Sequence, residues 1–118
     1  MNPEMTDAEL DEAMAKEVMG WRAKRSRMGN PEWFYWTDAC DTCDNRKYRL
    51  GDFRPTADLN QAVECARKWA YERDEEFWLM YKRQEDIFGC ITSFGYESNK
   101  DPARAICEAL LMAVRGER

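Results

Sequence analysis

The stretch EFWLMYKRQEDIFGCITSF, from Glu76 to Phe94, decides the fold because two apolar runs flank a short polar link. The first run is rich in aromatic residues and the second in aromatic and β-branched residues, so we expect strands over Glu76 to Lys82 and over Asp86 to Phe94. The link is short enough for a hairpin, which makes the strands antiparallel neighbours. Both strands carry apolar residues on both faces, and such strands are usually covered on two sides. The hairpin therefore predicts a sheet between helices.

Three helices are predicted around this hairpin. The first opens with a capping-box pattern, runs from about Asp7 to Met19 and is ended by Gly20. The second begins at a cap on Thr56 or Asp58, after which apolar residues recur at helical spacing. The third follows a cap and a first-turn proline, runs from Asp101 to Gly116, and carries a stripe expected to be buried, namely Ala105, Ile106, Ala109, Leu110 and Ala113. Each helix has one apolar stripe that a neighbouring layer must cover.

The segment between the first two helices predicts two more strands. Trp33 to Thr37 is aromatic and β-prone, and a short strand around Arg46 to Leu50 can pair back with it. The basic stretch Arg22 to Arg27 precedes a Gly-Asn-Pro turn signal and is interpreted as a loop. The predicted order is α-β-β-α-β-β-α. We expect an α/β protein, more narrowly α+β, in a three-layer helix/sheet/helix sandwich with a largely antiparallel sheet, as one domain over residues 1–118.

Bulk composition favours a compact cytosolic protein. Hydrophobic residues make up 44% of the chain and charged residues 35%, which predicts a packed interior under a solvated surface. No apolar run approaches the ~20 residues that cross a bilayer, and the acidic start lacks the features of a signal peptide. The net charge of −5 disfavours a protein that works mainly by neutralising phosphates. Five scattered cysteines, an odd number, indicate reduced thiols.

Short motifs along nearly the whole chain resemble the phage ABA sandwich family. Val18-Met19-Gly20-Trp21, at the end of the acidic first helix, looks like the family's opening signature. Phe53 to Leu59 resembles its approach to the central helix, while Cys90 and the segment from Ala105 to Leu110 resemble its closing strand and helix. The resemblance implies a phage or prophage origin and a helix, sheet, helix layering, and it transfers no catalytic residue. The insert Asp38 to Asn45 departs from the family pattern.

Cys40 and Cys43 are the candidate metal ligands, because two thiolates three positions apart on a turn can hold one zinc ion or form a disulfide. Structural zinc needs two further ligands, and the chain has no histidine. The others would come from a nearby aspartate or from Cys65, Cys90 or Cys107, which are better explained as core residues. Zinc, a redox role and a plain turn with free thiols stay open. The plain turn is favoured, and no cofactor is expected.

The missing histidine also bears on catalysis. It removes the commonest general base and every Ser-His or Cys-His nucleophile pair. Carboxylates are abundant, but no spacing singles out a pair in different environments, so the acidic residues around Asp74 to Glu76 and Glu85 to Asp86 indicate a solvated charged face. No glycine-rich phosphate loop is present in the sequence. We therefore expect a binding protein rather than an enzyme.

The candidate binding residues combine a basic run with nearby aromatic side chains, namely Arg22, Lys24, Arg25, Arg27, Trp33 and Phe34. Cations of this kind can hold phosphates while aromatic rings stack on bases. Lys and Arg are also favoured after a helix end for electrostatic reasons. An exposed interface patch and a closed sheet edge explain the two aromatic residues equally well. Among the other tryptophans, Trp36, Trp69 and Trp78 are expected in the core.

The leading hypothesis is a phage accessory protein that acts by stoichiometric binding to a host protein, such as an inhibitor of a defence system of the anti-CRISPR kind. It rests on the family resemblance, the small size, the acidity and the missing catalytic set. The alternative is a small-ligand or nucleotide-binding sponge that uses the aromatic residues and Arg22 to Arg27 as a phosphate clamp. Metal or thiol chemistry at Cys40 and Cys43 ranks third. Nucleic acid is disfavoured as a partner, and a homodimer through an exposed helix or sheet edge is left open.

Overall fold

The computed structural model describes residues 5–25, 33–36, 46–49 and 51–116, with the backbone alone described for 24–25, 33–36 and 46–49. The helices are α1 (Asp7–Ala13), which continues as a π-helical turn (Met14–Val18), α2 (Leu59–Arg73) and α3 (Pro102–Gly116). The strands are β1 (Arg22–Arg25), β2 (Trp33–Trp36), β3 (Arg46–Arg49), β4 (Phe77–Lys82), β5 (Ile87–Thr92) and β6 (Gly95–Asn99). They form two three-stranded antiparallel sheets, β1-β2-β3 and β4-β5-β6.

The predicted hairpin is confirmed as β4 and β5, whose register places Phe77 opposite Thr92 and Lys82 opposite Ile87. The chain turns where the backbone N–H of Asp86 donates to the carbonyl of Arg83 at 3.3 Å. The second strand is shorter than predicted, because the chain turns again after Thr92 and returns as β6. Gly95 starts that strand at φ 146, a conformation open to glycine and strained for other residues.

The first helix has the predicted capping box. The hydroxyl of Thr6 accepts from the backbone N–H of Glu9 at 3.2 Å, and the carboxylate of Glu9 accepts from the backbone N–H of Thr6 at 3.1 Å. These bonds favour the ionised form and lower the pKa of Glu9 below its usual range. The helix then widens, since the N–H of Met19 donates to the carbonyl of Met14 five residues back. Gly20 follows at φ 71 and ends it, as predicted.

Helix α3 is the centre of the fold, because it contacts β5 and β6 as well as α2 and the π-helical turn. The five stripe residues predicted to be buried are all buried, namely Ala105, Ile106, Ala109, Leu110 and Ala113. Helix α2 starts after Asp58, whose carboxylate caps the N–H groups of Asn60 and Gln61. The α+β class is thus confirmed, with three helices and an antiparallel sheet on which helices pack.

Two predictions about individual segments were wrong. Arg22 to Arg25 is a strand rather than a loop, because its backbone pairs antiparallel with β2 along its full length. Trp78 does not lie in the core, since its side chain is 55% exposed on an edge strand. Trp69 is fully buried, as predicted. For Trp36 only the backbone is described, and it lies opposite Arg22 of β1.

A buried carboxylate ties the first helix to the segment before α2. Asp11 is 8% exposed, and its side chain accepts from the backbone N–H of Thr56 at 2.9 Å. Burial raises the pKa of Asp11 above its usual range, and the hydrogen bond from Thr56 opposes that rise in part. The folded protein therefore binds a proton at Asp11 more readily than the unfolded chain does.

This shift predicts a pH dependence of stability. Because the pKa of Asp11 is higher in the folded protein, protonation of its carboxyl stabilises the fold. This stabilisation is complete below the pKa of Asp11 in the unfolded chain, and it is lost as the pH rises through the pKa of Asp11 in the folded protein. We expect Asp11→Asn, which keeps an oxygen to accept from Thr56, to flatten the fall in the free energy of unfolding as the pH rises from the ordinary aspartate range toward neutrality. Urea denaturation over that range measures it. The exposed control Asp52→Asn should show the same decrease in the free energy of unfolding with pH as the unsubstituted protein. If Asp11→Asn also showed that decrease, Asp11 would not be the group responsible for it.

Candidate functional site

The candidate binding residues of the basic run and the aromatic segment are brought together by the first sheet. Strand β1 pairs with β2 so that Arg25 lies opposite Trp33 and Lys24 opposite Phe34. The same register sets Arg22 opposite Trp36. The sequence suggested that these two segments act together, and the antiparallel pairing makes them neighbours in one sheet. Arg27 lies outside the described residues.

Strand β3 also contributes to this site, which was not predicted from the sequence. Strand β3 pairs with the other edge of β2, with Arg49 opposite Phe34 and Arg46 opposite Trp36. The register shifts between these two pairs, which is typical of a β-bulge that admits an extra residue on one strand. The aromatic strand WFYW therefore lies between two basic strands, RAKR and RKYR. The similarity of those two strings was the signal available in the sequence.

Charge is strongly segregated in this protein. The three strands of the first sheet hold six of the 18 Lys and Arg residues and none of the 23 Asp and Glu residues. The three strands therefore carry a charge of +6, while the rest of the chain, with 12 Lys and Arg against 23 Asp and Glu, carries −11. A ligand at the sheet meets this local positive charge rather than the average charge of the whole chain.

The two faces of the first sheet differ in composition. Residues directly opposite one another in a sheet share a face, and successive residues alternate. One face, called the basic face from here on, therefore holds Arg22, Lys24, Phe34, Trp36, Arg46 and Arg49. Arg25, Trp33 and Tyr35 belong to the opposite face. Trp33 and Phe34 were predicted as partners in one surface, and the register separates them.

The spacing on the basic face suits a ligand with stacked bases. Phe34 and Trp36 are two positions apart on one strand, so they lie roughly 6.6 Å apart along it. Aromatic side chains at such positions can each stack on one base, and cations on the flanking strands can meet the connecting phosphates. Such an arrangement suits the binding and orientation of a ligand of this kind.

Three of the five cysteines are core residues, as predicted. Cys65 on α2, Cys90 on β5 and Cys107 on α3 are buried free thiols. Burial raises the pKa of Cys65 to about 12 and that of Cys90 to about 11, and it raises the pKa of Cys107 as well. Protonated thiols are poor nucleophiles and poor metal ligands. Cys40 and Cys43 lie outside the described residues, and within 5–25, 33–36, 46–49 and 51–116 no three potential ligands gather into a metal site.

Comparison with known proteins places the fold beside a phage protein. No family model matches the chain, and no curated protein matches it. A 2.0 Å crystal structure of a phage protein from Bacillus cereus superposes with a TM-score of 0.56 over 96% of both chains. The sequences are 11% identical, so the likeness shows a shared fold and no shared residue roles. Among the described helices, none has the length and apolarity that a membrane crossing requires.

The acidic residues singled out in the sequence serve local structure. Glu75 accepts a hydrogen bond from the hydroxyl of Ser93 at 3.0 Å, and Asp86 accepts one from the hydroxyl of Tyr81 at 2.7 Å. The bond to Asp86 raises the pKa of Tyr81. Glu76 and Glu85 are exposed to solvent. These positions fit the predicted charged, solvated face.

A cleft at the start of α3 has a structural explanation. It is lined by Met5, Thr6, Asp7, Asn99 and Arg104. The guanidinium of Arg104 donates to the carboxylates of Asp7 and Glu108 and to the carbonyl of Met5. Its charge is therefore already neutralised by acidic neighbours. The cleft thus provides little net positive charge for an anionic ligand. Arg104 instead joins the N-terminal segment to α3.

Proposed function

We propose that this protein is a phage or prophage accessory protein that acts by non-catalytic binding, and that the basic face binds a ligand made of phosphates and bases. The observation that carries the proposal is the register of the first sheet, which sets an aromatic strand between two basic strands. Two observations support the phage origin: the motifs that resemble the phage ABA sandwich family, and the similar fold of a phage protein from Bacillus cereus.

The chemistry of the basic face selects the ligand class. Four of its positions are Arg or Lys, which match phosphates, and two are aromatic, which match bases. Single-stranded nucleic acid and free nucleotides both present this combination. Two aromatic positions in line along β2 favour a ligand with at least two successive bases. The short single strand is therefore the first ligand to test, and the mononucleotide is the comparison.

Charge reversal on the basic face gives the first binding prediction. The combined substitution Lys24→Glu and Arg49→Glu removes two cations that flank Phe34 and adds two like charges. We expect it to weaken binding of a labelled ten-nucleotide single strand, measured by fluorescence anisotropy, by at least about tenfold at low salt. For the unsubstituted protein, the logarithm of the binding constant should fall against the logarithm of salt concentration with a slope of about −3.

A charge-matched control separates a site from general repulsion. Arg67→Glu combined with Lys100→Glu makes the same change in net charge at two exposed positions outside the first sheet. That control should retain most of the affinity. If both double variants lost the same affinity for the single strand, the basic face would not be the binding site. Tighter binding of ATP than of the oligonucleotide would indicate a nucleotide sponge, and tighter binding of the oligonucleotide a single-strand binder.

A second candidate function is inhibition of a host defence protein, such as an anti-CRISPR role. It is favoured by the acidity of the rest of the chain, since all 23 Asp and Glu residues lie outside the first sheet. An acidic surface is complementary to the basic sites of nucleases and can be steered onto them. Affinity purification from host lysate tests it. A partner that the Lys24→Glu and Arg49→Glu variant still captures would support inhibition, and the absence of any specific partner would count against it.

A further inference from the structure

Strand β4 is an exposed edge of the second sheet. Its sequence FWLMYK is paired with β5 on one side, and no described strand pairs with its other side. Trp78, Leu79, Met80 and Tyr81 are all exposed large side chains. A six-residue apolar edge strand presents a row of backbone donors and acceptors that another strand can use, so natural proteins usually cover or blunt such an edge.

The exposure involves both faces of β4. Leu79 lies opposite the buried Cys90, on the face toward the core, yet it remains exposed because α3 packs on β5 and β6. Trp78 and Met80 lie on the outer face with Tyr96. A partner that covered only one face of β4 would leave the apolar side chains of the other face exposed to water. A further strand added at the edge, with its own helices and side chains, would cover both faces at once.

The charges at the two ends of β4 favour a second copy of this chain as the partner. Glu75 and Glu76 immediately precede the strand, while Lys82 and Arg83 stand at its end. Against a second copy running antiparallel, acidic residues of one chain meet basic residues of the other at both ends. A parallel copy would set acid against acid and base against base. The Lys82 ammonium already lies on the outer face, 5.1 Å from the centroid of the Tyr96 ring, and Glu76 alternates onto the same face.

We infer that β4 is a homodimerisation strand, with two copies of this chain paired antiparallel about a two-fold axis at Leu79. In this register Trp78 of one copy lies opposite Met80 of the other, and Phe77 opposite Tyr81. Glu76 lies opposite Lys82, and both sheets join into one of six strands. Because the axis makes the interface isologous, every contact occurs twice except the contact of Leu79 with its own copy on the axis. This inference is independent of the proposed ligand, since it uses a different sheet.

Paired charge reversals test the register. Sedimentation equilibrium of the full chain should give a mass of about twice 14.0 kDa at high concentration. Glu76→Lys alone and Lys82→Glu alone each replace two attractions with two repulsions, so each should weaken the dimer by about tenfold or more. The two substitutions together should restore it, which a general loss of folding would not do. Glu12→Lys and Lys100→Glu, at exposed positions outside β4, are the matched controls and should not shift the equilibrium.

A cross-link tests the position of the axis separately. Residues directly opposite across paired strands have Cβ atoms about 4.5–5.5 Å apart, close to disulfide range. In a background with Cys40→Ser and Cys43→Ser, Leu79→Cys should form a covalent dimer under a mild oxidant. Tyr71→Cys, which is 90% exposed on α2, should stay monomeric. A protein that sediments as a monomer at all concentrations would overturn the inference. A dimer whose affinity is unchanged by either charge reversal, and that does not cross-link through Leu79→Cys, would also overturn the inference, because another surface would then form the interface.

Discussion

Replacing Trp69 by alanine is expected to lower the free energy of unfolding by about 3–5 kcal/mol. Among the described residues Trp69 is the largest fully buried side chain, and it belongs to the core on α2, a helix that packs against α3. The substitution removes its apolar contacts and leaves a cavity that the surrounding helices can fill only in part. Its indole N–H has no partner among the described residues, so Trp69→Phe, which removes that donor, should cost less. Urea denaturation followed by circular dichroism measures both variants.

The same helix provides the control for this prediction. Tyr71 is two positions further along α2 and is 90% exposed. Tyr71→Ala removes an aromatic side chain without opening a cavity and replaces it with the best helix former, so stability should stay within about 0.5 kcal/mol. Similar losses for Trp69→Ala and Tyr71→Ala would mean that α2 does not pack as described here.

The largest expected effect of a single substitution on binding is at Trp36. Trp36→Ala removes one stacking position of the basic face, and loss of one base–aromatic stack costs about 1–3 kcal/mol. We expect the affinity for a ten-nucleotide single strand to fall by about tenfold or more, at constant salt. Trp36→Phe keeps an aromatic ring at the same position and should retain much of the affinity.

The opposite face of β2 gives the control for Trp36. Trp33 is on the same strand, and the pairing of β1 with β2 places it on the other face. Trp33→Ala should therefore weaken binding much less than Trp36→Ala. Equal losses would indicate that both substitutions disturb the sheet, and a larger loss for Trp33→Ala would move the ligand to the opposite face.

Local signals in the sequence predicted much of the fold. The capping box at Thr6 and Glu9, the cap at Asp58 and the turn after Lys82 each depend on residues within a few positions of one another. Such interactions are readable from the sequence because their geometry is local. The stripe of α3 was equally clear, since a helix at the centre of the fold keeps its apolar spacing throughout.

Pairing between distant segments was harder to predict. β1 is a basic tetrapeptide with no strand preference of its own, and it becomes a strand because β2 lies beside it. β6 is polar and mostly exposed, so its alternation carries little signal. Trp78 was assigned to the core from its residue type, and its place on an edge strand makes it exposed.

The candidate site was predictable in its parts and not in its geometry. The basic run and the aromatic segment were both visible in the sequence, and their register was not. The basic residues of β3 were not assigned to the site, because predicting a strand does not show which face of a neighbouring strand its residues share. The net charge also gave no sign of a basic sheet, because all the acidic residues lie outside its strands. Both gaps arise from tertiary pairing, which one sequence does not reveal.

The most direct test of the central claim is a nuclear magnetic resonance titration of the ¹⁵N-labelled protein with a ten-nucleotide single strand. The basic face predicts that the largest shift changes fall on amides of β1, β2 and β3 and on the indole N–H of Trp36, and that they fade as salt is raised. The amides of α3, behind the second sheet, should hardly move. Changes confined to β4 or to the helices, or a spectrum that no oligonucleotide alters at low salt, would contradict the account.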